Sequence, residues 1–468
     1  MGMLCSPVFL EDLVIRPLLS SFQSRLRSDT GRALIRTFLA KAVSALGALA
    51  LVVVVGRLYG PEGVGVFALA QSILLGSGII GRRGMDNALM RFVGREADSP
   101  QVRSYLNWAV RRSLVISLPL SILLIVFRYP IEHFFAMSSL ASVLLGIGLA
   151  VPFYTWAFLL TGFFKGIRKP ATAAFLENGS VSLVAGALIL LVPYVLPGGE
   201  QDIAYIGWAY AVAAVLVALH GGLHAVFWLR SHQREQGVRG LDVTDKTEFR
   251  VTSQAFFIMG LAAFMQSALS IMIAGKFLGS EEMGLFKSAQ QIAISVGFVL
   301  MVINAIFPPR FATLYHQGKM DGLGRLARNG ALLGIVLAAP FLLVCLLFPV
   351  WVLSLLGEGF EAAALLLQII ALAQLVNVAT GSVGFLLSMT GYERYMRNIA
   401  LICSGFGLLG FFILTPLFGA LGATLALAFV LVAQNLAAMC FVWLKLGIWT
   451  LPGPNWLALL GIRGPENR

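Results

Sequence analysis

The sequence predicts an all-α polytopic membrane protein: twelve transmembrane helices in two pseudo-symmetric six-helix bundles. Three observations carry that expectation. The first is composition: over 468 residues, 58% are hydrophobic and only 12% charged, with a mean hydropathy of +0.86. Soluble domains carry about 25% charged residues. The second is the recurrence of apolar runs of about 18 to 28 residues, each long enough to cross a ~30 Å hydrocarbon core. The third is an internal echo. The 16 residues from Gly56 to Gln71 return 219 positions later as Gly275 to Gln290, with seven identities and a basic residue after the first glycine in both copies. The same offset carries Arg91-Phe92 onto Arg310-Phe311. Each copy lies between apolar runs, so the repeated unit is a membrane unit.

The expected spans follow in chain order: 36–58, 64–82, 111–128, 140–164, 171–194, 203–229, 251–274, 284–307, 329–356, 361–389, 397–416 and 419–445. Glycine- and proline-bearing turns separate several of them, including Gly60-Pro61-Glu62-Gly63, Gly357-Glu358-Gly359 and Pro416-Leu417-Phe418-Gly419. Thirty of the 34 Lys and Arg residues fall into alternate connections. Only Arg57, Arg128, Lys276 and Lys287 lie toward the other face. By the positive-inside rule this places both termini in the cytoplasm of a multi-pass protein of the cytoplasmic (inner) membrane. It also tests the count, because one helix too many or too few would scramble the alternation. Six helices return the chain to its starting face, so the halves are parallel repeats about an axis along the membrane normal. The expected organisation is an amphipathic segment at 1–35, a first bundle at 36–229, a cytoplasmic linker at 230–250, a second bundle at 251–446 and a tail at 447–468.

Composition and motif exclude several classes. The net charge of +12 is parcelled into loops and builds no groove-reading module, so no nucleic-acid partner is expected. No G-x-x-x-x-G-K-[ST] occurs, which argues against ATP hydrolysis. Gly76-Ser77-Gly78-Ile79-Ile80-Gly81 matches G-x-G-x-x-G but lies within a span with no strand before it, and reads as a packing face. Cys5, Cys345, Cys403 and Cys440 have no paired spacing, so neither disulfide framework nor zinc site is indicated. The outward connections are too short to carry a catalytic domain, so no enzyme and no cofactor are expected.

Polar groups inside spans are costly and usually face a bundle interior or a water-filled cavity. Arg36 and Lys41 stand at the cytoplasmic end of the first span, where Lys41 either enters a cavity or snorkels to headgroups. Lys287, Gln290 and Gln291 share the eighth span. Gln71 is the repeat-equivalent of Gln290, and either substrate contact or a helix–helix hydrogen bond suits the pair. Glu177-Asn178 and His220 are the candidates for proton or sodium coupling, Glu177 being the most deeply placed acid. A structural ion pair is the plainer reading of Glu177. His220 and His224 sit at i, i+4 without a third ligand, so they do not make a metal site. Asp86, Arg91 and Arg310 lie in cytoplasmic returns, where a salt bridge or gate is expected.

Three segments carry a family resemblance: Arg57 to Ala70, Gly84 to Val93, and the turn Gly419-Ala420-Leu421-Gly422-Ala423. Over roughly residues 30–446 the chain resembles the polysaccharide transporter family, the Wzx-type oligosaccharide-lipid flippases. These belong to the multidrug/oligosaccharidyl-lipid/polysaccharide exporter superfamily. The resemblance implies a V-shaped two-lobe transporter that moves a polyprenyl-diphosphate-linked oligosaccharide outward for surface polysaccharide biosynthesis, by alternating access. Its implied partners are that glycolipid, membrane lipids and other polysaccharide-assembly proteins. Arg36 and Lys41 would then hold the diphosphate, with Gln side chains on the sugars. The sibling exporters, a peptidoglycan lipid-precursor flippase and a multidrug antiporter, are the alternatives. The longer basic lead-in and the tail bearing Trp449 and Trp456 depart from the family pattern.

Overall fold

The computed structural model describes residues 29–95, 99–195, 202–232 and 240–451, with no strand among them. In hydrocarbon a segment must satisfy its own backbone, and apolar Leu-, Ala- and Val-rich runs do so as helices. Among the described residues, seven helical stretches are long and apolar enough to cross a membrane: Leu39–Arg82, Val102–Val126, Leu140–Gly166, Ala204–Ser231, Met320–Leu347, Phe360–Met389 and Glu393–Leu446. Two of these each hold two of the expected spans. Helix α1 (Asp29–Arg82) is two helices meeting at Gly60, whose φ of 65° and ψ of −169° leave helical space. Pro61 follows, and a proline is tolerated where a new helix begins because its missing N–H would be unpaired there. Helix α17 (Glu393–Leu446) is likewise two helices meeting at Gly419, at φ 58° and ψ −139°.

After α1 comes α2 (Met85–Arg95), a short helix packed against α5, α9 and α3. It buries Met85, Ala88, Leu89, Phe92 and Val93 on one stripe and exposes Met90, Arg91 and Arg95. The first bundle continues with α3 (Val102–Val126), α4 (Arg128–Phe135), α5 (Leu140–Gly166), α6 (Pro170–Phe175), α7 (Asn178–Val195) and α8 (Ala204–His232). Helix α5 is its hub, buried on nearly every side and packed by α1, α2, α3 and α8. The expected fifth span is broken: α6 and α7 are separate helices, with Leu176 and Glu177 between them. Gly179, one residue into α7, lies on the backbone of Ser44, and that close approach aligns α7 with α1 rather than with α6.

The second bundle opens with α9 (Val243–Phe264), which passes through a π-helical turn at Met265–Leu269 into α10 (Ser270–Phe277). Next come α11 (Ser280–Ile294), α12 (Gly297–His316), α13 (Met320–Leu347), α14 (Pro349–Ser354), a 3₁₀ turn at Phe360–Ala363, α15 (Ala364–Thr380), α16 (Val383–Met389) and α17. A cluster of Phe307, Phe311, Leu387, Met439 and Val442 fills its basic end, and Trp449 packs into that cluster. Trp456 lies outside the described residues, as do residues 1–28 of the expected lead-in. The expected linker is corrected in one respect: residues 243–250 are the first turns of α9, not loop. Hydropathy misses these turns because they carry Asp245 and Glu248, acids that a helix N-terminus favours.

The two copies of the echo meet. A Cβ on Gly65 would strike the Ser280 carbonyl and the Gly284 amide; one on Gly284 would strike the Pro61 carbonyl and the Gly65 amide. Both pairs, 61 with 280 and 65 with 284, are 219 apart. The contact is therefore reciprocal, as a two-fold relation between the copies requires. Only glycine permits backbones this close.

Candidate functional site

Helix α11 begins after Gly279, which is extended, and carries Glu281 and Glu282 in its first turn. Ser280, Gly284, Lys287 and Gln291 recur at i, i+4, i+7 and i+11 and so share one face. Gly284 identifies that face as the one against α1. Lys287 and Gln291 therefore look toward the first bundle, one and two turns beyond the glycine crossing. Lys287 is half-buried, with Nζ 3.4 Å from Gln290 Oε1, and it enters no ion pair among the described residues. The repeat-equivalents on α1 are Ala68 and Ser72, both buried, with Ser72 Oγ donating to the Ala68 carbonyl at 2.8 Å. One copy thus supplies a cation and an amide to the seam, and the other supplies small residues.

The remaining sequence candidates are dispersed. Gln71 turns into its own bundle and donates to the Tyr210 hydroxyl at 3.1 Å; that hydroxyl is 3.1 Å from Ser182 Oγ. Arg36 and Lys41 are exposed, and five residues of helix set them about 140° apart around α1. Glu177 stands in the α6–α7 break, 3.1 Å from Lys165 Nζ at the last turn of α5. Its carboxylate is therefore level with the last turn of α5. Asn178 begins α7. His220 is exposed, with its ring 4.5 Å from that of His224 and 5.4 Å from that of Phe175. Asp86 pairs with Arg82 at 3.2 Å, not with Arg91. Arg91 is exposed and Arg310 half-buried; neither forms an ion pair among the described residues. No group of three metal-ligating side chains occurs among the described residues.

Sequence reasoning overlooked Arg82 and Tyr210. Arg82 resembles one more loop cation beside Arg83, yet its guanidinium lies 4.7 Å from the centre of the Phe158 ring while binding Asp86. Tyr210 sits in an apolar run where a tyrosine usually marks a membrane interface. Only the bundle shows it tying α1, α7 and α8 together.

Comparison with known proteins places this arrangement. Residues 31–314 match the family described as polysaccharide biosynthesis protein, and residues 255–413 match the MatE family. The chain belongs to the polysaccharide biosynthesis protein family. Both family matches agree with the polysaccharide transporter resemblance read from the sequence. A putative O-antigen transporter of Escherichia coli (strain K12) is 22% identical over 386 residues, covering 79% of this chain and 86% of that one. Among solved structures, the lipid II flippase MurJ in an inward closed conformation superimposes with a TM-score of 0.67 at 11% identity. That match covers 88% of this chain and 87% of the other. An inward-facing multidrug resistance MATE family transporter gives 0.61 at 16% identity, over 86% and 93%. At these identities the structural likeness establishes the fold alone: an all-α, multi-pass membrane fold.

Proposed function

We propose that this family member is a flippase for a lipid-diphosphate-linked oligosaccharide, moving it from the inner to the outer leaflet of the cytoplasmic membrane. In this reading twelve passes form two lobes, residues 36–229 and 251–446, that rock about their seam with the basic end in the cytoplasm. The observation that carries the proposal is Lys287. A charge withdrawn from water is costly unless paired, and here the side-chain partner is the Gln290 amide. An anionic headgroup entering the seam would supply the missing counter-charge, with Gln291 beside it for hydrogen bonds. Arg36 and Lys41, exposed at the basic end, would attract the same headgroup to the entrance. A cation exporter would instead want acids on this face, and the shared face of α11 offers a lysine.

The membrane potential gives the direction. Each negative charge carried fully outward gains about 2.3 kcal/mol per 100 mV, so a diphosphate can move outward without a fixed coupling ion. In that reading Glu177 with Lys165 holds the α6–α7 break, and Asp86 with Arg82 holds the return into α2. Proteoliposomes loaded with a fluorescent polyprenyl-diphosphate sugar provide the test. Lys287→Ala is expected to slow flipping at least about tenfold, the effect of removing one ~1.4 kcal/mol interaction from the rate-limiting state. Lys287→Arg should retain most of the rate. Unchanged flipping by Lys287→Ala would remove the proposal.

A further inference from the structure

The basic residue that follows the first glycine in each copy of the echo, Arg57 and Lys276, is not used by the site above. Both are exposed, and both reach across the seam. Arg57 Nε donates to the Leu355 carbonyl at 3.0 Å, at the C-terminal end of α14. Lys276 Nζ donates to the Phe134 carbonyl, in the last turn of α4, with its charge 4.2 Å from the Phe134 ring centre. Each short helix ends in carbonyls that lack intrahelical donors and carry the negative pole of the helix dipole, which a cation suits. The preceding glycines each face the other bundle's helix end as well: a Cβ on Gly56 would meet the Leu356 carbonyl, and one on Gly275 would touch Leu69 first and the Met137 methyl beyond it. Each bundle therefore caps a helix end of the other with the same residue of the repeat.

We propose that Arg57 and Lys276 form an exit site for the diphosphate headgroup, latched shut by these two carbonyls until the anion takes their place. The proposal rests on the flippase reading for its ligand and on the reciprocal caps for its geometry. A hydrogen bond between a cation and a phosphate oxygen is roughly twice as strong as one to a neutral acceptor. An anion arriving from Lys287 would thus draw Arg57 and Lys276 off the Leu355 and Phe134 carbonyls, and the repeat end would part. Without the anion the caps reform and keep the seam closed. The exchange uses two donors, one on each bundle, which accounts for a basic residue at this position in both copies of the echo.

The test places a reporter in the seam beneath the caps. Ala68, buried one turn beyond Gly65, is replaced by cysteine in the full chain reconstituted in vesicles. A membrane-impermeant maleimide is then added on the side of the repeat end. Slow labelling is expected for the latched protein, and about tenfold faster labelling for Arg57→Gln/Lys276→Gln, equivalent to ~1.4 kcal/mol of weakened closure. Inorganic pyrophosphate should accelerate labelling of the latched protein and leave the double variant unmoved. A polyprenyl diphosphate in the vesicle membrane should do the same at far lower concentration, which distinguishes a lipid headgroup from a free anion. Arg57→Lys/Lys276→Arg, which keeps both donors, should label slowly and still respond. A double variant that labels as slowly as the parent, or that answers pyrophosphate equally, overturns the proposal. Because the readout is accessibility and not flipping, it stands or falls separately from the Lys287→Ala result.

Discussion

The first span on α1 and its counterpart, the helix running through α9 and α10, lead into the same sequence unit and stand in opposite relationships to the rest of the molecule. On α1 the half toward the basic end stays with its own bundle. Ser44 Oγ is 3.3 Å from the Ala174 carbonyl and 3.2 Å from Ser180 Oγ, and Gly47 lies against Gly179 and Leu183. On α9 the residues nearest the basic end, which precede the repeat-equivalents of Ser44 and Gly47, cross to the other bundle. Phe249 is fully buried there, its ring 5.2 Å from that of Phe92, 5.5 Å from Tyr105 and 5.3 Å from Trp108. Ser253 Oγ donates to the Arg83 carbonyl at 2.6 Å, and Glu248 meets Arg95 at 3.1 Å. The π turn at Met265–Leu269 separates this crossing half from α10, which packs on α17. The duplication thus survives where the two copies touch each other, at Gly65 and Gly284, and disappears at the basic end. Two equivalent crossings would close both sides of the seam at that end. One crossing and one self-packed helix leave the two sides unlike.

The sharpest way to break this comparison is at the shared contact. Gly65→Val and Gly284→Val each drive a branched side chain into the backbone of the partner copy, where no rotamer relieves the clash. Both are expected to prevent the repeat end from closing and to reduce flipping to background, while detergent-solubilised protein remains helical by circular dichroism. If the two variants differed strongly from each other, the reciprocity of the contact would lose its meaning. Next in size is Phe249→Ala. Removing a buried phenylalanine costs about 3–5 kcal/mol, and here that cost should fall on the crossing half-helix. Hydrogen exchange should rise over residues 243–257 and stay unchanged over 36–58. Equal increases in both segments would show that Phe249 supports the whole fold and not the crossing.

The all-α fold was legible because a bilayer leaves few choices: long apolar runs become helices, and Gly60-Pro61 and Gly419 mark where two of them meet. The repeat was equally legible, because backbone contact at Gly65 and Gly284 constrains residue type directly. Interruptions within spans were hidden. Neither the break at Leu176-Glu177 nor the π turn at Met265–Leu269 carries a proline, and the short polar stretch at each is too brief to end a span on hydropathy. The candidate site was legible in part. Lys287 and Gln291 could be placed on one face from their spacing, but spacing could not say that Gln71 turns inward to Tyr210. Nor could it pair Asp86 with Arg82, since Arg91 lies on the same short helix and competes equally on paper. The crossing of α9 left no signal at all, because Phe249 is far along the chain from the three aromatic rings of the first bundle that surround it.

The smallest expected effect belongs to the break in the fifth span, where the first bundle has an acid and α1 packs closest. Glu177 and Lys165 are 29% and 39% exposed, so their attraction is screened and worth under about 1 kcal/mol. Glu177→Gln keeps the shape and removes the charge. It should lower the melting temperature by no more than a few degrees and leave the flipping rate unchanged between pH 6 and 8. A structural tether predicts that result, and predicts further that Lys165→Met gives the same small shift with no added effect in the double variant. An ion-coupling carboxylate predicts otherwise: flipping by the parent would respond to a proton or sodium gradient, and Glu177→Gln would abolish that response while Lys165→Met would not. The α6–α7 break would then be a moving part of the first bundle, and the contrast between a fixed α1 half and a crossing α9 half would have to be redrawn.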